Sequence, residues 1–198
     1  MPIREALPGD AAALAAVHVL SWRAAYRELL PRPYLEGLDV EERAAVWRAR
    51  LTAPDRPTVL LATEGEGDGG GGGGDAGRGG GDAGSGKGDA GDGRPVAFAC
   101  FRPWPGEGFD PAPTAELAAL YALPEVWGTG VGRALLSATT GALAAAGFRS
   151  AGLWVFAGNG RARRFYEAAG WRPDGEAAWE ETGGLVLEKL RYRRDLLK

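Results

Sequence analysis

The run Glu125-Val126-Trp127-Gly128-Thr129-Gly130-Val131-Gly132-Arg133-Ala134-Leu135-Leu136 sets three alternating glycines between an apolar segment, residues 117–123, and an alanine-rich segment that ends at Ala146. The first segment predicts a strand and the second an amphipathic helix. Glycines at such a turn let an anion approach backbone N–H groups closely. The first helical turn adds unpaired N–H donors and the positive end of the helix dipole. The stretch therefore predicts a binding site for the diphosphate of a nucleotide-like cofactor.

Length, charge and cysteine content narrow the class of protein. The chain has 198 residues, which is typical of one domain, and a formal net charge of −3 at pH 7. Because it has no basic excess, we expect no nucleic-acid partner. No 18-residue apolar run and no signal-peptide pattern occur, which predicts a cytoplasmic protein without membrane association. Cys100 is the only cysteine, so an internal disulfide is impossible and no metal is expected.

Periodicity and turn residues predict a mixed order of strands and helices. The residue that precedes each of two helices, Asp10 and Asn159, is a good N-cap. The predicted strands cover residues 3–6, 58–63, 96–101, 116–123 and 150–156, followed by a hairpin over 171–190. The predicted helices cover residues 10–26, 34–51 with an interruption near Gly37, 130–146 and 160–169.

Residues 64–94 have a different composition from the rest of the chain. More than half of them are glycine, and none is aromatic or a large aliphatic residue. Such a segment cannot bury enough apolar surface to offset the entropy of ordering it. Gly81 to Gly88 resembles a phosphate-binding P-loop but lacks its final Ser or Thr, and the Asp-Ala-Gly repeats lack the nine-residue period of calcium-binding β-helices. We therefore expect a disordered loop inside a β-hairpin of a single domain, residues 1–198.

Two motifs in this order, one strand apart, resemble the GNAT superfamily of acyl-CoA-dependent N-acyltransferases. The first is Leu120-Tyr121-Ala122-Leu123-Pro124 followed by the glycine turn, and the second is Asn159, Ala162, Phe165, Tyr166 and Gly170-Trp171. The resemblance implies an α/β fold: a mixed central sheet with helices on both faces and a splayed pair of parallel strands that forms the CoA slot. It also implies acetyl-CoA as co-substrate and a small-molecule or peptide amine as acceptor, in a monomer or homodimer. A catalytically silent acyl-CoA sensor or an interaction module is the alternative.

The resemblance assigns the cofactor site to three parts of the chain. Backbone groups of Tyr121, Ala122 and Leu123 would bind the pantetheine arm, and Asn159 would bond the arm, cap a helix or do both. The diphosphate would be held by residues of the glycine turn, namely Trp127, Gly128, Thr129, Gly130, Val131, Gly132 and Arg133. One residue departs from the family pattern: Trp127 stands where Gln or Arg is usual, and an indole cannot make a charged phosphate contact.

Candidate catalytic residues follow from the same resemblance and from the needs of acyl transfer. Tyr166, which the resemblance also places among the cofactor-binding residues, would protonate the departing thiolate; the alternative is a packed aromatic residue beside Phe165. Glu116 would be the general base, directly or through water, or else an ordinary exposed carboxylate at a strand end. Trp22 and Tyr26 would line the acceptor pocket or belong to the core.

Several basic residues and the single histidine leave further alternatives open. Arg161, Arg163 and Arg164 on the last predicted helix could meet the CoA phosphates or form a solvated helix face. His18 lies on the first predicted helix, where a catalytic role is disfavoured.

Overall fold

A computed structural model describes residues 1–64, 93–106 and 113–196 of the chain. Its strands are β1 Ile3–Glu5, β2 Thr58–Thr63, β3 Pro95–Pro103, β4 Thr114–Ala122, β5 Ser150–Phe156, β6 Arg172–Thr182 and β7 Leu185–Asp195. Its helices are α1 Ala11–Ala25, α2 Arg32–Glu36, α3 Val40–Thr52, α4 Val131–Ala145 and α5 Gly160–Ala168. The predicted order of elements is confirmed.

The interruption predicted near Gly37 is confirmed, since α2 ends at Glu36 and α3 begins at Val40. Asp39 accepts a hydrogen bond from the backbone N–H of Glu42 at 2.8 Å and so caps α3. One strand differs in extent from the sequence prediction. The last strand continues to Asp195, five residues beyond the prediction, because β7 pairs with every residue of β5 from Ser150 to Phe156.

The strands form one sheet in the order β1-β2-β3-β4-β5-β7-β6. All neighbouring pairs are antiparallel except β4 and β5, which are parallel and are joined through α4. A parallel pair needs such a crossover, since a short turn cannot return the chain to the same edge. β5 lies inside the sheet and is buried on both faces, and its continuous apolar run is typical of such a strand.

Helices cover both faces of the sheet, so the predicted fold class is confirmed. On one face α1 and α3 pack against β2 and β3 around Leu14, Trp47 and Phe98. On the other face α4 and α5 pack around Leu135, Leu153 and Trp171. β4 contributes side chains to both cores because successive residues of a strand point to opposite faces.

The strands on either side of the glycine-rich tract are β2 and β3. β2 and β3 are antiparallel neighbours, and the ladder continues to a hydrogen bond of 2.9 Å from the Glu64 N–H to the Arg94 carbonyl. The prediction of disorder falls on residues 65–92, which lie outside the described part of the chain.

Candidate cofactor and active site

β4 and β5 pair at one end only and then diverge. Their register covers Thr114 with Ser150 through Glu116 with Gly152, although β4 runs on to Ala122 and β5 to Phe156. The hydroxyl groups of Thr114 and Ser150 share a hydrogen bond of 2.8 Å at the paired end. We call the gap between the diverging parts, residues 117–122 and 153–156, the slot. It opens into a cleft of about 1360 Å³.

A β-bulge in β4 stands at the point where the strands separate. Cys100 of β3 is opposite Ala119, whereas the next residue, Phe101, is opposite Leu117, so Ala118 is the extra residue. A bulge bends its strand and re-aims the backbone locally. The bulge places Ala118 where the two strands separate, at the closed end of the slot.

Hydrogen bonding to β3 decides which backbone groups of β4 face the slot. The Leu123 N–H donates to the Val96 carbonyl at 2.8 Å, and hydrogen-bonded pairs alternate along an antiparallel ladder. Tyr121 is thus also bonded toward β3, while the N–H and C=O groups of Leu120 and Ala122 point to the slot. The Leu123 carbonyl accepts from the Val126 N–H at 3.1 Å, so both backbone groups of Leu123 are engaged.

The N-terminus of α4 faces the same cleft. Gly128 and Gly130 have φ angles of +82° and +94°, which disfavour any residue with a Cβ. A Cβ built on either glycine meets no atom within 4 Å, so the space above them is open. No side chain caps α4, and its first-turn N–H groups have no partner one turn earlier in the helix. The turn combines open donors with the positive helix end and is suited to bind an anion.

The N-terminus of α5 borders the cleft too, but it is capped. The Asn159 side-chain oxygen accepts a hydrogen bond from the Ala162 N–H at 3.0 Å, which confirms the predicted N-cap. Asn159 and Ala162 also line the cleft.

Tyr166 lies in the last turn of α5 and is buried at the cleft wall. Its ring contacts Phe165 and Trp171 at centroid distances of 5.2 and 6.1 Å. Burial raises the pKa of the Tyr166 hydroxyl well above its usual value, and the nearby Tyr121 raises it further. The hydroxyl therefore stays protonated throughout the physiological pH range and can serve as a proton donor.

Glu116 marks the closed end of the slot, at the last paired position of β4 and β5. Its carboxylate accepts a hydrogen bond of 2.7 Å from Arg102, the residue opposite it on β3. The side chain is 12% exposed, compared with 50% for that of Arg102. Glu116 is thus a half-buried, ion-paired carboxylate within the cleft rather than a freely solvated one.

Aromatic side chains form the cleft wall on the α1 side. Trp22 contacts Tyr26 at a centroid distance of 4.8 Å, and Tyr26 contacts Phe156 at 5.5 Å. Trp22 and Tyr26 both line the cleft, next to the slot residue Tyr121. Arg23 lies between them in sequence but turns away, since it donates to the carbonyls of Leu35, Glu36 and Leu38 around the end of α2.

His18 and Cys100 are buried groups that remain in their neutral forms. The His18 ring packs on Tyr121 at 4.8 Å, and burial together with the charges of Arg43 and Arg50 lowers its pKa to about 3. Burial raises the pKa of the Cys100 thiol to about 11. At neutral pH the imidazole carries no charge and the thiol is not a nucleophilic thiolate.

Trp127 makes two contacts that the sequence did not reveal. Its indole N–H donates to the Ala122 carbonyl at 2.7 Å. The guanidinium carbon of Arg161 lies 3.5 Å from the centroid of its ring. The other two arginines of α5 differ: Arg163 bonds to Tyr192 and Ala157, and Arg164 does not line the cleft.

The structure brings most of the predicted site residues to one cleft. Those that line it are Glu116, Tyr121, Ala122, Trp127, Gly128, Gly130, Gly132, Arg133, Asn159, Tyr166, Trp22 and Tyr26. Leu123, Thr129 and Val131 belong to the same segments but do not line it. Sequence reasoning missed Ala118, Leu120 and Arg102, because a bulge and strand register place them, and it did not single out Arg161 from the other two arginines of α5. The sequence offered one signal for Leu120: it lies two residues from Ala122 along β4, and residues at that spacing in a strand have the same orientation.

The fold is thus an α/β fold in which an uncapped helix N-terminus lies beside a divided parallel strand pair. The acetyltransferase (GNAT) family model matches residues 84–171. An uncharacterized N-acetyltransferase of Bacillus subtilis strain 168, YuaI, is 31% identical over 159 residues, which are 79% of this chain and 72% of YuaI. The chain belongs to the GNAT acetyltransferase family.

Solved structures share the fold over nearly the whole chain. A ribosomal-protein-alanine N-acetyltransferase from Brucella melitensis is 23% identical with a TM-score of 0.65, over 98% of this chain and 99% of that one. YncA, a putative acetyltransferase from Salmonella typhimurium solved with its cofactor acetyl-CoA, is 20% identical with a TM-score of 0.63, over 100% and 95%.

The described residues contain neither a metal-binding group of side chains nor a membrane-spanning helix. No group of three or more His, Cys, Asp or Glu side chains there is arranged to hold a metal ion. None of the helices in residues 1–64, 93–106 and 113–196 has the length and apolar character needed to span a membrane.

Proposed function

We propose that this protein transfers an acetyl group from acetyl-CoA to a primary amine of a small-molecule or peptide acceptor. The amine attacks the thioester directly, with both substrates bound at once. The observation that carries this proposal is the meeting, in one cleft, of the uncapped α4 N-terminus, the slot between β4 and β5, and the protonated hydroxyl of Tyr166.

Three parts of the chain position the cofactor in this proposal. The N–H groups of Gly128, Gly130 and Gly132, with Arg133 at the edge of the turn, hold the diphosphate. The slot-facing backbone of Leu120 and Ala122 bonds the amides of the pantetheine arm, as an added strand would. Tyr121, Leu123, Thr129 and Val131 then act by holding the backbone of these segments, and Asn159 contacts the arm while capping α5.

The closed end of the slot carries the chemistry. The bulge at Ala118 offers a backbone N–H for the charge that develops on the thioester oxygen. Glu116 accepts the proton of the attacking amine, directly or through a water molecule, and Tyr166 donates its proton to the departing sulfur. Trp22 and Tyr26 provide apolar walls for the acceptor.

A panel of amines tests the activity. Purified protein is mixed with acetyl-CoA and single amines (polyamines, aminoglycosides, amino acids and peptides), and free thiol is recorded with time. We expect release that depends on both the enzyme and one class of amine. If CoA binds in calorimetry but no amine releases thiol, the chain is instead an acyl-CoA-binding module. The ion pair of Glu116 with Arg102 favours that alternative, because it already engages the carboxylate that would act as the base.

A further inference from the structure

Trp127 and Arg161 join two cofactor-binding segments across the mouth of the slot. Trp127 precedes Gly128 in the turn before α4, and Arg161 is the second residue of α5. The indole N–H fixes the Trp127 ring to the Ala122 carbonyl at 2.7 Å, and the Arg161 guanidinium lies over that ring at 3.5 Å. Both side chains line the cleft. The ring therefore holds a cation beside the turn.

Arg161 has no acidic partner among the described residues. Other arginines of the chain pair with a carboxylate, as Arg4 does with Asp10 at 2.8 Å and Arg102 with Glu116 at 2.7 Å. Arg161 has the indole face instead, and desolvation there lowers its pKa. A partly desolvated guanidinium without a counter-charge is stabilised when an anion binds beside it.

We propose that Trp127 and Arg161 form a two-residue phosphate contact, in which the indole positions the guanidinium to bind the diphosphate of CoA. Stacking uses the flat face of the guanidinium, so the N–H groups along its edge remain free for phosphate oxygens. The pair supplies the positive charge that the family's usual Arg would bring at position 127. The inference rests on the proposed function, since it places the diphosphate at the turn over residues 127–132.

CoA offers two sources of phosphate, the diphosphate and the 3′-phosphate on the ribose. We assign the diphosphate, because the ring that carries Arg161 belongs to the residue adjoining Gly128 and is bonded to slot-facing backbone. Dephospho-CoA lacks only the 3′-phosphate and therefore separates the two sources.

Calorimetric titration of CoA and dephospho-CoA into the wild type and five variants tests the inference. Arg161→Gln should weaken both ligands about tenfold, the effect of losing one charge-assisted hydrogen bond. Trp127→Phe keeps a ring under Arg161 and should lose less affinity than Trp127→Ala. The double variant Trp127→Ala/Arg161→Gln should bind CoA at most about twofold more weakly than the weaker-binding single variant. Each single substitution already disrupts the same stacked pair, so the second substitution adds little. Arg164→Gln removes the same charge from the same helix outside the cleft and should bind as the wild type does.

Three results would overturn the inference. Arg161→Gln and Arg164→Gln could weaken CoA equally, which would indicate a general charge effect of α5. The loss in Arg161→Gln could vanish with dephospho-CoA, which would assign Arg161 to the 3′-phosphate. The two single losses could multiply in the double variant, which would make the residues independent. Failure of the wild type to bind CoA at all would instead contradict the proposed function.

Discussion

Two helices begin at the cleft, and their N-termini differ in one respect. α5 starts after Asn159, whose side chain satisfies the Ala162 N–H at 3.0 Å. α4 starts after Gly130, which has a left-handed backbone and no side chain to cap the helix. A polar N-cap in place of glycine typically contributes a few tenths of a kcal/mol to stability. The chain forgoes this stabilisation at α4, which agrees with our proposal that the α4 donors bind a ligand, whereas α5 presents side chains to the cleft.

The largest loss of CoA affinity is expected when an acidic residue replaces the glycine at the N-terminus of α4. Gly130→Asp adds a carboxylate, which competes with the bound phosphates, and a Cβ at a φ of +94°. We expect CoA affinity to fall at least about 100-fold, since both the charge and the backbone oppose binding. Calorimetry measures the loss.

Two control variants separate charge from strain at that position. Gly130→Asn has the same shape without the charge, and Asn tolerates the left-handed region, so it should keep more affinity than Gly130→Asp. Gly141→Asp adds the same charge to an exposed position in the body of α4 and should bind CoA normally. Equal affinity of Gly130→Asp and the wild type would contradict a phosphate site at this helix end.

Replacement of Tyr166, the buried tyrosine of α5, should lower the rate of acetyl transfer and leave CoA binding unchanged. Tyr166→Phe removes the proposed proton donor, so kcat should fall at least about tenfold while CoA affinity stays within about twofold. Tyr192→Phe is the matched control: its hydroxyl donates to Glu167 at 2.7 Å outside the cleft, so it should lose stability and keep kcat. An unchanged kcat in Tyr166→Phe would remove this residue from the mechanism.

The pH profile of the wild type gives a second view of Tyr166. Because burial raises the pKa of its hydroxyl, the donor form persists at pH values where an exposed tyrosine begins to ionise. The rate should therefore rise as the acceptor amine loses its proton and should not fall between pH 8 and about 10. A decline in kcat in that window, with the fold intact by circular dichroism, would conflict with this assignment.

A smaller effect on kcat is expected at the closed end of the slot, where β4, and neither of the two helices, supplies the side chain. Glu116→Gln removes the proposed base and should lower kcat about tenfold near pH 7. The deficit should shrink at higher pH, because an amine that is already neutral needs no base. Arg102→Gln, which breaks the same ion pair but keeps the carboxylate, should retain most of kcat. A loss in Arg102→Gln as large as that in Glu116→Gln would show that the ion pair, not the base, matters.

The smallest effect is expected from removal of the N-caps of α5 and α3. Asn159→Ala and Asp39→Ala each remove an N-cap and should each cost about 1 kcal/mol of stability in chemical denaturation. Only Asn159 lines the cleft, so only its variant should also weaken CoA, by a few fold. Identical CoA affinity in the two variants would leave Asn159 with a capping role alone.

The elements of the fold were accessible from the sequence because their signals are local. Glycine after a strand, Asn159 before a helix and the continuous apolar run of β5 each reflect the conformation of a few neighbouring residues. The divided strand pair followed only from resemblance, since the register of β4 with β5 depends on α4 between them.

The site was accessible only in part, because several of its contacts join distant residues. Arg102 reaches Glu116 through the register of β3 and β4, which a bulge shifts by one residue. Arg161 reaches Trp127 because α5 folds back beside the turn before α4. Helical periodicity alone leaves the arginines of α5 equivalent candidates, and packing separates them.

A crystal structure of the complex with CoA tests the central claim most directly. We expect phosphate oxygens of the diphosphate within about 3 Å of backbone nitrogens between Gly128 and Arg133, and the pantetheine arm along Leu120 and Ala122 in the slot. A diphosphate bound away from the N-terminus of α4, with those nitrogens facing only water, would contradict the claim that this helix end is kept open for the cofactor.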